Sequence, residues 1–183
     1  MLSSLREALT PRTSPGTGRL IIALLLIEII QRTFIFWLSR DFLRTMAQFC
    51  GKWELTSSDA NFEEYMKVVG VTEDMRKLAL SALTTGSKLV QQISRDGTKW
   101  TVGVITKEGE KADVFEEGKP TEVSTLDGRK VTAVYTLEGD QLVEIQKGNG
   151  FESRNVRKVN GETLTMTLTA NNSVTCARTY KKV

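Results

Sequence analysis

Beyond Gly86, apolar and polar residues alternate with a period of two, in short runs separated by turn residues about every ten positions. The turns fall at Asp96-Gly97, Glu108-Gly109, Gly118-Lys119-Pro120, Asp127-Gly128, Glu138-Gly139-Asp140, Gly148-Asn149-Gly150, Asn160-Gly161 and Asn171-Asn172. Strand side chains alternate faces, so this pattern predicts about nine short antiparallel strands joined by tight turns. Upstream the period changes. Phe62, Tyr65, Met66 and Val69 lie at i, i+3, i+4 and i+7 behind Asn61, a good N-cap residue, and predict an amphipathic helix ending at Gly70. Thr72 opens a second helix whose stripe is Met75, Leu78, Ala79, Ala82 and Leu83, closed by Gly86. Gly51-Lys52-Trp53-Glu54-Leu55 alternates as a first strand, ended by Ser57, Ser58 and Asp59. The prediction is an all-β domain: a ten-stranded antiparallel up-and-down sheet, long enough to close into a barrel, with a helix-turn-helix after its first strand.

The rows within the strands decide what such a barrel encloses. Leu164, Met166 and Leu168 alternate with threonines, giving one apolar and one polar face, whereas Leu142, Glu144 and Gln146 form a mixed row. Mixed inward rows favour a ligand cavity over a solid core. On the last strand, Val174, Cys176, Arg178 and Tyr180 share a side. A guanidinium and a phenol in adjacent inward positions suit a planar anion such as a carboxylate. The same row fits an edge strand facing solvent equally well, and the strand alone leaves both open. Arg154 and Arg157 lie one hairpin upstream.

Composition narrows the chemistry. The chain has no histidine and two cysteines, Cys50 and Cys176, far apart in sequence. Zinc sites and histidine-based catalysis are therefore not expected, and neither a metal nor a cofactor is implied. Two cysteines in 183 residues point weakly to a reducing compartment and leave a single disulfide open. The net charge of +3 resides in residues 1–45, which hold six arginines and three acids; from Met46 onward, basic and acidic residues balance at 19 each. The domain thus lacks the charge signature of a nucleic-acid binder.

The change of character at Met46 divides the chain into an extension, 1–45, and a domain, 46–183. Within the extension, Pro11, Pro15, Gly16 and Gly18 precede an apolar segment, 20–38, of helical character, interrupted by Glu28 and Arg32. Those charges make it a poor membrane span. Anchor, signal or transit peptide, and upstream sequence outside the working protein all stay open.

Several stretches in order resemble the intracellular lipid-binding proteins, the family of fatty-acid-binding and cellular retinoid-binding proteins. They are Phe49-Cys50-Gly51-Lys52-Trp53-Glu54-Leu55, Asn61-Phe62-Glu63-Glu64-Tyr65-Met66-Lys67, Arg76-Lys77, Asp127-Gly128-Arg129-Lys130-Val131, Leu142-Val143-Glu144-Ile145-Gln146-Lys147 and Val174-Thr175-Cys176-Ala177-Arg178-Thr179-Tyr180. The likeness covers Met46–Val183. It implies a calycin-like barrel capped by a helical lid and holding one hydrophobic ligand. The family's arginine, x, tyrosine signature falls on Arg178 and Tyr180, its second arginine on Arg157, and a neighbouring polar position on Gln146. Arg154 has no counterpart. The chain departs from the family in an extra residue at Ala60, a longer stretch from Leu78 to Leu89 without the lysine-proline step, and no portal phenylalanine around Thr106 to Lys111.

The expectation is a carrier, not an enzyme: a cytoplasmic monomer transporting a long-chain fatty acid or similar hydrophobic carboxylate. Arg157, Arg178 and Tyr180, with Gln146 nearby, would hold the head group. Met75, Leu78 and Leu83 would form the cavity-facing or membrane-touching surface of the lid, in transient membrane contact. The alternatives are a retinoid carrier, a peripheral membrane protein using barrel and extension as a platform, and an enzyme acting on a small hydrophobic substrate.

Overall fold

The computed structural model describes residues 45–84 and 88–183, with Glu28 alone upstream; the side chains of 83 and 84 are not described. The chain divides into two units, Met1–Leu43 and Arg44–Val183. The apolar segment 20–38, Glu28 excepted, lies outside the described residues. The barrel belongs to the second unit.

Among the described residues ten strands occur: β1 (Gly51–Ser58), β2 (Val90–Asp96), β3 (Lys99–Thr106), β4 (Gly109–Glu116), β5 (Thr121–Ser124), β6 (Lys130–Glu138), β7 (Gln141–Gly148), β8 (Phe151–Asn160), β9 (Thr163–Ala170) and β10 (Val174–Lys182). Two helices, α1 (Phe62–Val68) and α2 (Glu73–Thr84), follow β1. The strands form one sheet in the order β4-β3-β2-β1-β10-β9-β8-β7-β6-β5. All neighbours are antiparallel, and only the β1–β10 pairing joins strands distant in sequence. β4 and β5 end the order without pairing, so the barrel is nearly closed. Lys111 crosses from β4 to β5, its Nζ donating to the carbonyls of Ser124 and Thr125.

The first strand is longer than its alternation suggests. Ser57 and Ser58 belong to it, because the pairing with β10 slips between Leu55 and Ser57 and then resumes with Ser57 opposite Thr179 and Ser58 opposite Arg178. Such a bulge carries the strand past the point where sequence alternation fails. At Asn171 and Asn172 the β9–β10 turn has φ of 49° and 51°, a left-handed conformation that asparagine tolerates better than other residues with a side chain.

Asn61 does not cap α1 with its side chain. Its Nδ2 instead donates to the Thr175 carbonyl at 3.1 Å, and Asp59 accepts from the Asn61 and Ala177 amides at 3.1 and 2.6 Å. The residues ahead of α1 are thereby committed to β10, and α1 packs on β10 and β9. Buried Met66 and Val69 fix its inner face.

Phe49, Trp53 and Trp100 are fully buried. Phe49 meets Trp100 edge-on at 6.4 Å, and Trp53 Nε1 donates to the Phe49 carbonyl at 2.8 Å, so the indole nitrogen is satisfied inside the core. Leu164, Met166 and Leu168 of β9 point inward, as their alternation predicts. Cys50 and Cys176 are both free thiols. Among the described residues no helix is long and apolar enough to cross a membrane, and no cluster of histidine, cysteine or acidic residues could hold a metal.

Candidate binding site inside the barrel

A cavity of about 240 Å³ opens among the inward rows. Phe62 and Tyr65 of α1 line it together with Tyr135, Met166 and Leu168. Gln146, Arg157, Arg178 and Tyr180, named from the sequence, all line the same cavity. β10 lies between β1 and β9, so the edge-strand reading of its arginine and tyrosine does not hold.

The two arginines stand in different electrostatic situations. Arg157 is 2% exposed and already paired: Nη1 donates to Glu144 Oε2 at 2.9 Å and Nε to Gln91 Oε1 at 3.0 Å. Its guanidinium lies 5.4 Å from the Tyr135 ring centroid. Burial works against its charge, but Tyr135 and Glu144 outweigh that effect and hold it above the usual arginine range. Glu144 is 4% exposed, and its Oε1 accepts from Gln146 Nε2. Burial foremost pushes the Tyr135 phenol well above its usual value, with Arg157 pulling the other way.

Arg178 has no carboxylate of its own among the described residues. Its guanidinium rests 4.5 Å from the Phe62 ring centroid and 5.7 Å from that of Tyr180, and its buried Nε finds no hydrogen-bond partner. A buried donor left unpaired is a standing penalty unless something fills it. Tyr180 is fully buried, and its hydroxyl reaches only the Met166 sulfur, at 3.9 Å, a weak acceptor.

A second polar group ties the helix to the wall. The Tyr65 hydroxyl lies 2.7 Å from Ser153 Oγ and donates to Asn155 Oδ1 at 3.3 Å, while Ser153 Oγ donates to Asn155 at 2.8 Å. Burial pushes the Tyr65 phenol up to about 12, so it remains a hydroxyl at neutral pH. Arg154, unassigned in sequence, faces outward and pairs with Glu138 at 2.6 Å.

The helical residues fare differently. Phe62 and Tyr65 of α1 line the cavity, and of the residues expected at the cavity-facing or membrane-touching surface of the lid, neither Met75 nor Leu78 does. Met75 packs against the core without lining the cavity, and Leu78 is 59% exposed, because the outer side of α2 turns it away from the barrel. The Leu83 side chain lies outside the described residues. Gln91 is a site residue that the sequence did not point to, and Glu144 is one that it placed in the mixed inward row without a role at the head group. Glu144 shares the inward row of Gln146, which was the available signal; Gln91 meets Arg157 only through closure of the barrel.

Comparison with known proteins accords with this architecture. The chain is 36% identical over 137 residues to sodium/calcium exchanger regulatory protein 1 of Doryteuthis pealeii, covering 75% of this chain and 98% of that protein. It is 36% identical over 146 residues to fatty acid-binding protein 5 of Bos taurus, covering 77% and 99% respectively. Among solved structures, the fatty acid binding protein of Schistosoma mansoni in complex with arachidonic acid superposes with a TM-score of 0.68 at 28% identity, over 76% of this chain and 98% of that one. A family model described as lipocalin / cytosolic fatty-acid binding protein family matches residues 46–183. The chain therefore belongs to the lipocalin / cytosolic fatty-acid binding protein family, whose members are lipid-binding carriers and not enzymes.

Proposed function

We propose that the protein, as a monomer, binds and carries a long-chain fatty acid or similar hydrophobic carboxylate inside the barrel. The unpartnered Nε of Arg178, buried on the cavity wall beside the Tyr180 ring, carries the reading. A carboxylate placed there gains charge-assisted hydrogen bonds and relieves a buried donor at once. Arg157 and Gln146 complete the polar lining, with Arg157 held in place by Glu144. The hydrocarbon chain lies against Val102, Phe115, Met166 and Leu168. At about 0.8 kcal/mol per buried methylene, the tail supplies most of the affinity and the polar groups its orientation. Leu78, exposed on α2, is the apolar side chain offered to a membrane during loading.

Displacement of a fluorescent fatty acid from delipidated protein tests the reading. Palmitate should displace it at concentrations about 10- to 100-fold lower than hexadecanol, the gap expected of one charge-assisted contact. Equal potency of acid and alcohol would remove the anchor.

A further inference from the structure

Five charged side chains line the cavity among the described residues: Lys111, Arg157 and Arg178 against Asp113 and Glu144. Their sum is a single positive charge. Lys111 is held at the β4–β5 edge by the carbonyls of Ser124 and Thr125, Arg157 is paired with Glu144, and Arg178 has no carboxylate partner among the described residues and a buried Nε without a hydrogen bond. Without Glu144 the lining would carry two net positive charges, with two arginines free to receive an anion.

We infer that Glu144 is a specificity-determining residue: by occupying Arg157 it limits the anchor to one net positive charge, so that the cavity selects singly charged head groups over doubly charged ones. The inference rests on the carrier reading above. The pair is internally complete. Glu144 Oε2 accepts from Arg157, its Oε1 accepts from Gln146, and Arg157 Nε is taken by Gln91. A monocarboxylate on Arg178 brings the lining to neutrality. A dianion leaves an excess negative charge in an enclosed space of low dielectric, beside a buried carboxylate that repels it. Nothing about the tail changes between the two cases, so the discrimination is electrostatic.

The test compares palmitate with tetradecylmalonate, which has the same sixteen-carbon chain and a second carboxylate on C2. Both are measured at neutral pH against the unaltered protein and the Glu144→Gln variant. The glutamine keeps the shape and an acceptor for Arg157 while removing the charge. The unaltered protein is expected to bind palmitate at least about tenfold more tightly than the malonate, and Glu144→Gln to shrink that ratio by about tenfold or more. A ratio unmoved by the substitution would overturn the inference. So would equal affinity of the unaltered protein for the two probes, a measurement that needs no variant to fold. Failure to bind either probe would overturn the carrier reading and this inference with it, whereas palmitate binding without discrimination would overturn the inference alone.

Discussion

Replacing Arg178 by methionine separates an anchor from a packing residue, because the two roles predict opposite signs for stability. Without ligand, the buried Nε of Arg178 has no partner, and an unsatisfied buried donor costs about 1–3 kcal/mol. Methionine keeps an unbranched side chain against Phe62 and removes that donor. It also gives up the contact of the guanidinium with the Phe62 face, about 0.5–1 kcal/mol. The difference is a net gain of about 1 kcal/mol for the empty protein, a rise in Tm of roughly 3–5 °C for a domain of this size. In the bound state the sign reverses. Losing a charge-assisted interaction of about 1.5–3 kcal/mol weakens palmitate binding by about 10- to 150-fold and leaves hexadecanol nearly unaffected. Thermal unfolding followed by circular dichroism supplies the first number and competitive displacement the second. Delipidation is essential, since a retained fatty acid stabilises the folded form by mass action and would reverse the comparison. If stability and affinity fall together, or if acid and alcohol lose affinity equally, Arg178 is part of the wall and the anchor is elsewhere.

Two further outcomes concern contacts around the helices. Tyr65→Phe removes the hydroxyl that joins α1 to Ser153 and Asn155, which keep their own hydrogen bond; with about 1 kcal/mol lost, amide hydrogen exchange should quicken in Phe62–Val68 and leave β6–β9 unchanged. Unaltered exchange in α1 would show that the hydroxyl does not hold the lid. The Asp127 carboxyl lies below its ordinary range: burial raises it, but hydrogen bonds from Arg129 and Thr125 prevail. A carboxyl depressed in the folded state stabilises above its unfolded value, about 3.9, and loses that contribution as pH falls through the lower folded one. Asp127→Asn should therefore be less stable than the unaltered protein at pH 7. The two urea midpoints should converge as pH drops below about 4, and parallel curves would rule out the linkage.

The barrel was legible because its information is local. A period of two with turn residues every ten positions specifies strand and hairpin and puts Arg178 on one side with Tyr180, and the Leu164-Met166-Leu168 row on an apolar face, but it leaves open whether the Arg178 side faces inward or toward solvent. Glu144 and Arg157 lay half within reach. They sit on adjacent strands, where Leu142 faces Arg157 and Glu144 faces Asn155, so their contact is a diagonal one set by the hairpin register. That register depends on how Gly148-Asn149-Gly150 turns, and turn residues alone underdetermine it. The Gln91 contact was out of reach, since β2 and β8 meet only across the barrel. Both helices occur where their period puts them, but the surface each stripe meets was out of reach for a related reason. Period 3.6 identifies an apolar stripe but not what it faces, and the Asn61 side chain donates to the Thr175 carbonyl instead of accepting from the first helical amides.

A buried ion pair is a poor way to stabilise a barrel, and its presence here constrains what the interior is for. Breaking such a pair on one side costs about 3–5 kcal/mol, yet replacing both members by apolar side chains of similar volume is often neutral or stabilising. Selection for stability alone would then favour leucines at 144 and 157, with Phe49, Trp53 and Trp100 already providing a dense core. Apolar replacements would also fill the cavity and remove the polar wall beside which Arg178 stands with its Nε unpaired. The pair accordingly makes sense as a spacer with polarity: it keeps the lining hydrophilic where a head group belongs, while contributing no net charge to compete for it. Binding capacity and charge selectivity then have one physical source, in which Arg157 and Glu144 cancel each other so that Arg178 does not have to share its anion.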